Sequence, residues 1–394
     1  MHRFPYWRLS AYYFAYFAFI GVFSPYFGLY LQSLSFSAWD IGLLMSQMQL
    51  MRLFAPYLWG MLADRLGQRL LIVRMTGLVA LIVFSAFFFI SRFDGLLMAM
   101  TVFSFFWAAA LPLVETLTFD HLRENLARYS RVRLWGSVGF IVAVMGAGAL
   151  LDHLPLISLL WVSIVTLVGI VLCSMLMPET MLHLPAEEHP PVGEILRQPR
   201  VRALLAASFA MAAAHGALNI FYPIFLADHG YRKSMVGALF SLGVLAEIAV
   251  FFFMSRAMRR FSLRTILLTS FTVAVVRFVM IGWGVDTLAV MVLTQLMHGL
   301  TFGAFHSTAI SAINRWFPGR TRARGQALYS SLSFGAGGLA GGLISGWAWD
   351  HLGGELTFAL GSLYSLLGLI LVAAWVREKD VGETRVSCVV NTEH

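Results

Sequence analysis

Apolar runs of about twenty residues, the length a helix needs to cross a bilayer, recur from one end of the chain to the other. In lipid every backbone polar group must be satisfied within the spanning structure, so such runs fold as helices. Hydrophobic residues make up 59% and charged residues 12% of the 394 positions. A soluble domain has about 25% charged residues, so lipid solvates this chain. The short alternating segments of an outer-membrane barrel are absent. Twelve spans are read, at about 9–32, 41–62, 70–91, 95–119, 133–151, 156–177, 202–226, 234–255, 264–284, 286–312, 324–349 and 355–376. The ninth and tenth are separated only by Gly284-Val285-Asp286. The run Leu9–Leu31 is longer than a signal-peptide core and lacks a clear cleavage site, so it reads as a retained first span.

The formal charge of +8 is not a nucleic-acid signature, because the basic residues sit in short clusters between spans, where they set topology. Even-numbered connections hold Arg65, Arg69 and Arg74; Arg123, Arg128 and Arg131; Arg197 and Arg200; Arg256, Arg259 and Arg260; and Arg315, Arg320 and Arg322. Arg3, Arg8 and Arg377 near the termini lie on the same side. The opposite side has Arg92, Arg232 and Lys233. Both termini are therefore expected to be cytoplasmic, in a multi-pass protein of a bacterial inner membrane. Two cysteines, Cys173 and Cys388, make no disulfide framework.

The longest polar connection lies at the midpoint and reads as a linker. The expected organisation is a six-helix bundle over 1–178, a cytoplasmic linker over 179–201, a second six-helix bundle over 202–378 and a tail over 379–394. An offset of 191 residues lays Asp64-Arg65…Arg69 over Ser255-Arg256…Arg260, Arg131-Val132-Arg133 over Arg322-Ala323-Arg324, and Glu115 over His306. Basic clusters recurring in register suggest parallel repeats of six helices.

Gly60-Met61-Leu62-Ala63-Asp64-Arg65-Leu66-Gly67-Gln68-Arg69 resembles the signature loop of the major facilitator superfamily. Gly60 would permit close helix packing, Gly67 a tight turn, and Asp64 can meet cationic groups or a helix N-terminus nearby. Gly60, Asp64, Arg65, Gly67 and Arg69 thus form a candidate conformational latch; an ordinary topology-fixing loop is the bland alternative. The run P-L-V-E followed by R-V-R-L-W-G-S-V-G-F looks like helices four and five of the lactose-permease branch. The segments at 213–222, 241–247, 275–278 and 295–302 also resemble that branch, and most closely the phenylpropionate permease family. The resemblance covers nearly the whole chain. It implies the twelve-helix, two-bundle fold, and that Glu115, Arg133 and Phe140 contact substrate. It also places His298 at a functional histidine. Three residues on, however, the family's proton-carrying Glu is Thr301 here. Nucleoside–proton symporters of the broader group show a similar pattern around Glu247, which is therefore the likeness-based substitute for proton coupling, with His298 or Glu115.

Ionisable residues inside a membrane are expensive and mark functional sites by default. Glu115 and Arg133 form the first such pair. Glu247 is either a proton or substrate group or the structural partner of Arg277. Arg277 cannot lose its charge and needs an anion nearby, Glu247 or substrate. Arg52 shares a helix face with Gln49 and either lines a cavity or snorkels outward. His298 with Gln295 faces inward; His215 and His306 are either site residues or neutral packing partners. Tyr16 lines a pocket or packs. The glycines of span eleven, Gly335 to Gly346, read as close-packing positions.

No catalytic constellation, metal cluster or cofactor motif appears. The expectation is a monomeric secondary transporter, not an enzyme, that binds protons and a small molecule in the membrane. Cations Arg52, Arg133 and Arg277 outnumber carboxylates Glu115 and Glu247, which suits an organic anion such as an aromatic carboxylate, imported with protons. A sugar or nucleoside symporter and an exporter of metabolites or siderophores are the alternatives.

Overall fold

The computed structural model describes residues 4–122, 127–180 and 191–377. The tail 379–394, Arg3, Arg123 and the linker's 181–190 lie outside the described residues. The described residues form helices and turns, with no strand among them. In the first half they are α1 (Tyr6–Ser33), α2 (Ala38–Met51), α3 (Ala55–Leu66), α4 (Arg69–Ser85), α5 (Phe93–Leu122), α6 (Ala127–Leu151) and α7 (Ser158–Leu176). A short α8 (Gly193–Arg197) precedes the second half. There follow α9 (Pro199–Ile220), α10 (Tyr222–Asp228), α11 (Lys233–Arg260), α12 (Leu263–Gly284), α13 (Leu288–His298), α14 (Phe305–Trp316), α15 (Arg322–Ser330), α16 (Gly338–Leu352) and α17 (Gly354–Trp375).

Eleven helical stretches among the described residues are long and apolar enough to cross a membrane. The second expected span is the exception: it is broken at Arg52–Phe54 into α2 and α3. Pro56 near the start of α3 has no amide to donate, so the second piece begins where a missing donor does no harm. The tenth and eleventh spans stay continuous through π-helical turns, Gly299–Ala304 and Ser331–Gly337. Such turns insert an extra residue into a helix and are frequent at functional sites. Arg74 at the start of α4 donates to the carbonyls of Ser174 and Met177 at the end of α7, at 3.1 and 3.2 Å. Arg264 at the start of α12 donates likewise to Ala373 of α17, at 3.0 Å. Cations here satisfy carbonyls that a helix C-terminus leaves open.

The two halves meet along α2 with α16 and along α6 with α11. Close approach of α2 and α16 depends on glycine: a Cβ on Gly42 would lie 3.1 Å from the Gly346 Cα, and one on Gly346 2.8 Å from the Ala38 carbonyl. A set of hydrogen bonds joins the halves at the end opposite the basic connections. Asp350 accepts the amides of Ala38 and Trp39, at 3.0 and 2.9 Å, so a carboxylate of one half caps a helix of the other. Gln32 donates to Asp228, and the Tyr26 hydroxyl to the Lys233 carbonyl at 3.1 Å. Asp152 accepts the Ser234 amide at 3.3 Å. A slight upward push from burial is outweighed by hydrogen bonds from Ser234 and Lys233, which hold the Asp152 carboxyl below its usual range. Its contribution to closure is therefore present above the ordinary carboxylate pKa and fades as pH falls below it.

The seam yields a direct test. Gly346→Leu removes the space that α2 occupies and is expected to part the halves at this end. Spin labels on the exposed positions Leu154 and Asp286, with the native cysteines replaced by serine, should report a longer distance in the variant. An unchanged distance distribution would count against glycine-dependent closure.

Candidate functional site

In the first half, Glu115 of α5 is half-buried and accepts a hydrogen bond from the Tyr129 hydroxyl at 3.2 Å. Arg133 Nε stands 3.9 Å from the same carboxylate oxygen, with side chains 35% and 33% exposed. Tyr129 and Arg133 are one helical turn apart on α6, so they present one face to Glu115. The Arg133 guanidinium lies over the Phe17 ring at 4.1 Å and the Tyr13 ring at 5.9 Å, a cation–π cradle that steadies the charge away from bulk water. Tyr16 is buried and stacks on Trp107, with ring centres 4.5 Å apart and planes 8° apart. Its electrostatic neighbours are Arg52, Glu115 and Arg133, which puts Arg52 on the side of the site. Arg52 Nη1 also donates to Gln49 Oε1 at 3.4 Å, and the side chain is exposed. Phe140 is half-buried about two turns further along α6, its carbonyl against Gly21.

The second half is arranged differently. Arg277 of α12 is 0% exposed. Its Nε donates to the Thr294 carbonyl at 2.7 Å, and its Nη1 to Thr301 Oγ1 at 3.0 Å. His215 Nδ1 lies 2.8 Å from the Met211 carbonyl, so that nitrogen donates and Nε2 is left to face Arg277 Nη1 at 3.4 Å. No carboxylate lies within ion-pair distance of Arg277 among the described residues. Glu247 is thus not its structural partner. The half-buried Glu247 packs instead beside Gly303 in the π-helical turn, its Cγ 3.3 Å from where a Cβ would stand. Arg133 of the other half attracts it at longer range, without an ion pair. Rotation about the α11 axis, which sequence spacing does not reveal, turns Glu247 towards Gly303 rather than into an ion pair with Arg277. Along α13 and α14, His298 stacks on Phe302 at 5.5 Å, and Phe302 on His306 at 5.8 Å. His306 Nδ1 meets the Tyr329 hydroxyl at 2.9 Å.

The signature loop forms an ionic cluster away from these groups. Arg69 bridges Asp64 at 3.0 Å and Asp120 at 2.7 Å. Asp120 also accepts the Thr180 hydroxyl at 3.1 Å, and Glu179 accepts the Leu70 amide at 2.8 Å. Gly67 ends α3 with φ of 65°, the left-handed turn that favours glycine. Arg65 is exposed. Gly60 corrects the expectation: a Cβ there would meet nothing within 4 Å. Close packing is not its role in this conformation, because no helix covers that face.

Tyr129 and Asp120 enter the site and the loop cluster beyond the residues expected from the sequence, and Thr301, noted there as a departure from the family pattern, accepts from Arg277. Tyr129 carried a signal in its helical spacing from Arg133, and Asp120 in the short run T-F-D beyond Glu115. Nothing in the local sequence marks which oxygens Arg277 reaches.

A family model described as "MFS_1 like family" matches residues 6–360. Over 348 residues the chain is 27% identical to a probable 3-phenylpropionic acid transporter of Escherichia coli (strain K12), covering 86% of this chain and 90% of that protein. It is 26% identical over 381 residues to a maltose permease of Geobacillus stearothermophilus, covering 95% of each. The solved nucleoside transporter NupG matches with a TM-score of 0.83 at 18% identity, covering 94% of this chain and 99% of that one. A bacterial homologue of the human lysosomal transporter Spinster, inward-facing and unoccupied, matches with a TM-score of 0.71 at 16% identity, over 96% and 99%. At these identities the likeness to the solved structures is one of fold.

The loop cluster separates its two carboxylates by burial. The Asp120 side chain is 9% exposed and the Asp64 side chain 65%. Asp120→Asn should lower stability by about 1.5–3 kcal/mol, the range for a hydrogen bond to a charged group. Asp64→Asn should cost under about 1 kcal/mol, as an exposed ion pair does. Thermal unfolding in detergent, followed by tryptophan fluorescence, distinguishes them; equal losses would show that burial does not set the weight of the pair.

Proposed function

We propose that this chain, which belongs to the MFS_1 like family, imports a small organic anion with protons by alternating access. It is a multi-pass membrane transporter and not an enzyme. The observation that carries the anion reading is the balance of charge. Arg52, Arg133 and Arg277 lie in or beside the interior site, against Glu115 and Glu247, and Arg277 lacks a carboxylate among the described residues. An aromatic carboxylate would match that surplus and find ring partners in Tyr16, Trp107, Phe17 and Phe302. The name of the E. coli relative, a probable 3-phenylpropionic acid transporter, supports the same class.

Arg and Lys placement favours both termini on the cytoplasmic side of a bacterial inner membrane. On that topology the end sealed by Asp350, Asp228 and Asp152 is the outer one. The conformation is then inward-facing, and transport requires the outer seam to part by rocking of the halves. One chain carries the whole interior site, in keeping with a monomer.

Glu247 is the proposed proton carrier. It lies within electrostatic reach of the fixed positive charge of Arg133 in the other half, so a change in its charge would alter the attraction between the halves. A proton taken from the outer side would remove that charge and ease occlusion, and its release inside would reset the cycle. Binding of substrate near Arg133 or Arg277 would bias the same equilibrium. Proton and substrate are then thermodynamically linked, as symport demands.

A second reading rests on the ion pair. Glu115, Tyr129 and Arg133 together offer acceptors and donors with little net charge, a set suited to the hydroxyls of a sugar or nucleoside.

Glu247→Gln, in proteoliposomes with an imposed proton gradient, should abolish uphill accumulation of a radiolabelled aromatic acid and spare exchange between loaded vesicles. Uphill uptake at the wild-type rate would remove Glu247 from proton coupling. Accumulation of nucleoside or maltose, with none of any aromatic acid, would replace the anion reading with the second.

A further inference from the structure

Inside the second bundle, three buried side-chain nitrogens lack a hydrogen-bond partner within 3.5 Å: Arg277 Nη2, Gln295 Nε2, whose amide lies beside the Tyr222 hydroxyl, and His298 Nδ1. Gln295 and His298 lie one turn apart on α13 and so share a face. Both border Gly243 of α11, where a Cβ would stand 3.0 Å from Gln295 Oε1 and 3.5 Å from His298 Cδ2. Arg277 reaches the layer from α12 and His215 from α9, and the His215 and His298 rings lie 5.9 Å apart. Buried polar groups are hydrogen-bonded almost without exception, and unpaired ones call for an explanation.

We propose that this layer is an anion seat, and that the carboxylate of the transported acid binds Arg277, Gln295 and His298 rather than Arg133. The identification of the anion with the substrate's own carboxylate rests on the function proposed above; the seat itself does not. Three arguments converge on Arg277. Its guanidinium is fully buried and keeps a donor to spare after serving Thr294, Thr301 and His215. A buried cation without an anion is costly, and a charge-assisted bond to a carboxylate relieves that cost. Arg133, by contrast, already has Glu115 at 3.9 Å and rings on its faces.

Thr301 explains why the anion must come from outside the chain. Its hydroxyl accepts from Arg277 at 3.0 Å, at the position where the family resemblance places an acidic side chain. A hydroxyl satisfies the bond and leaves the charge unmatched. A ligand carboxylate would supply that charge on arrival and withdraw it on release. His298 and Phe302 are largely buried and stacked. They form the mouth of the seat, where an aryl ring attached to the carboxylate could extend the stack.

The test uses full-length protein in detergent and three probes: 3-phenylpropionate, its neutral amide 3-phenylpropanamide, and formate. The wild type should be stabilised by the acid and not by the amide. Arg277→Gln should weaken binding of the acid about ten- to hundredfold, the loss expected for one hydrogen bond to a charged group; Arg133→Gln should keep the preference for acid over amide. Should Arg277→Gln fail to fold, Thr301→Asp gives the same information. An internal carboxylate beside Arg277 should raise the melting temperature without ligand and abolish the shift with acid.

If the acid binds and only Arg133→Gln removes its charge preference, the seat is wrong while the anion reading stands. If formate stabilises the protein through Arg277 and the aromatic acid does not, the seat holds as a site for small free anions and the substrate reading falls. If no anion shifts the melting temperature, water satisfies the three atoms and the seat is overturned.

Discussion

A guanidinium cannot shed its charge, so a chain that buries one among helices must build its surroundings around that fact. The two halves do this in different ways. The first matches Arg133 with Glu115 and shields it with Phe17 and Tyr13. The second surrounds Arg277 with uncharged acceptors, a carbonyl, a hydroxyl and an imidazole nitrogen. Each neutral bond satisfies a donor, but none cancels the charge. The halves share a helical framework, yet one carries a nearly neutral polar set and the other a standing positive one. On the proposed reading, that asymmetry decides what binds between them.

The framework keeps those charges at depth and joins the halves by a small set of contacts. At the sealed end, glycine lets two backbones touch, and carboxylates bind backbone amides across the seam. Such contacts are short-ranged and few, so they can break together. Nearer the middle, regular helix gives way at three places: the interruption at Arg52–Phe54 and the π-helical turns at Gly299–Ala304 and Ser331–Gly337. The Leu53 side chain packs at Gly335 within the last of these, so the irregularity of one half faces that of the other. Interrupted backbone in a membrane is tolerated where protein or a cavity covers it. Here Gly299–Ala304 is covered by α11 and α12 of its own half, and the other two interruptions cover each other across the seam.

Hydropathy carried most of the fold. Eleven of the expected spans follow from runs of apolar residues, because the bilayer imposes a length that composition alone can meet. The second span was legible only as one run over 41–62. Averaged hydropathy hides a break of three residues, and Pro56, which marks it, is also tolerated inside membrane helices. The site was half legible. Glu115 and Arg133 stand on consecutive spans, and adjacency in sequence made adjacency in space a sound inference. Glu247 and Arg277 also stand on consecutive spans, yet they do not pair. Rotation of α11 and α12 about their axes decides that, and no local residue reports it. Gly60 misled for a related reason: a glycine on a helix face promises close packing only in the conformation where something packs there.

Among these transporters the fold does not choose the substrate. Similar sequences belong to relatives named for a phenylpropionic acid, for maltose and for nucleosides, so a shared fold leaves selectivity to a few side chains. Position 301 shows how little is needed. An acidic residue there would neutralise Arg277 within the protein and leave a site with no need of an anion. With Thr301 the positive charge persists, and Glu247 is the only mid-depth carboxylate among the described residues of the second half. Charge removed from one place in the bundle has to be carried in by a ligand at that place. On the proposed reading this chain therefore differs from a sugar symporter less in its helices than in which molecule, protein or cargo, supplies the counter-charge.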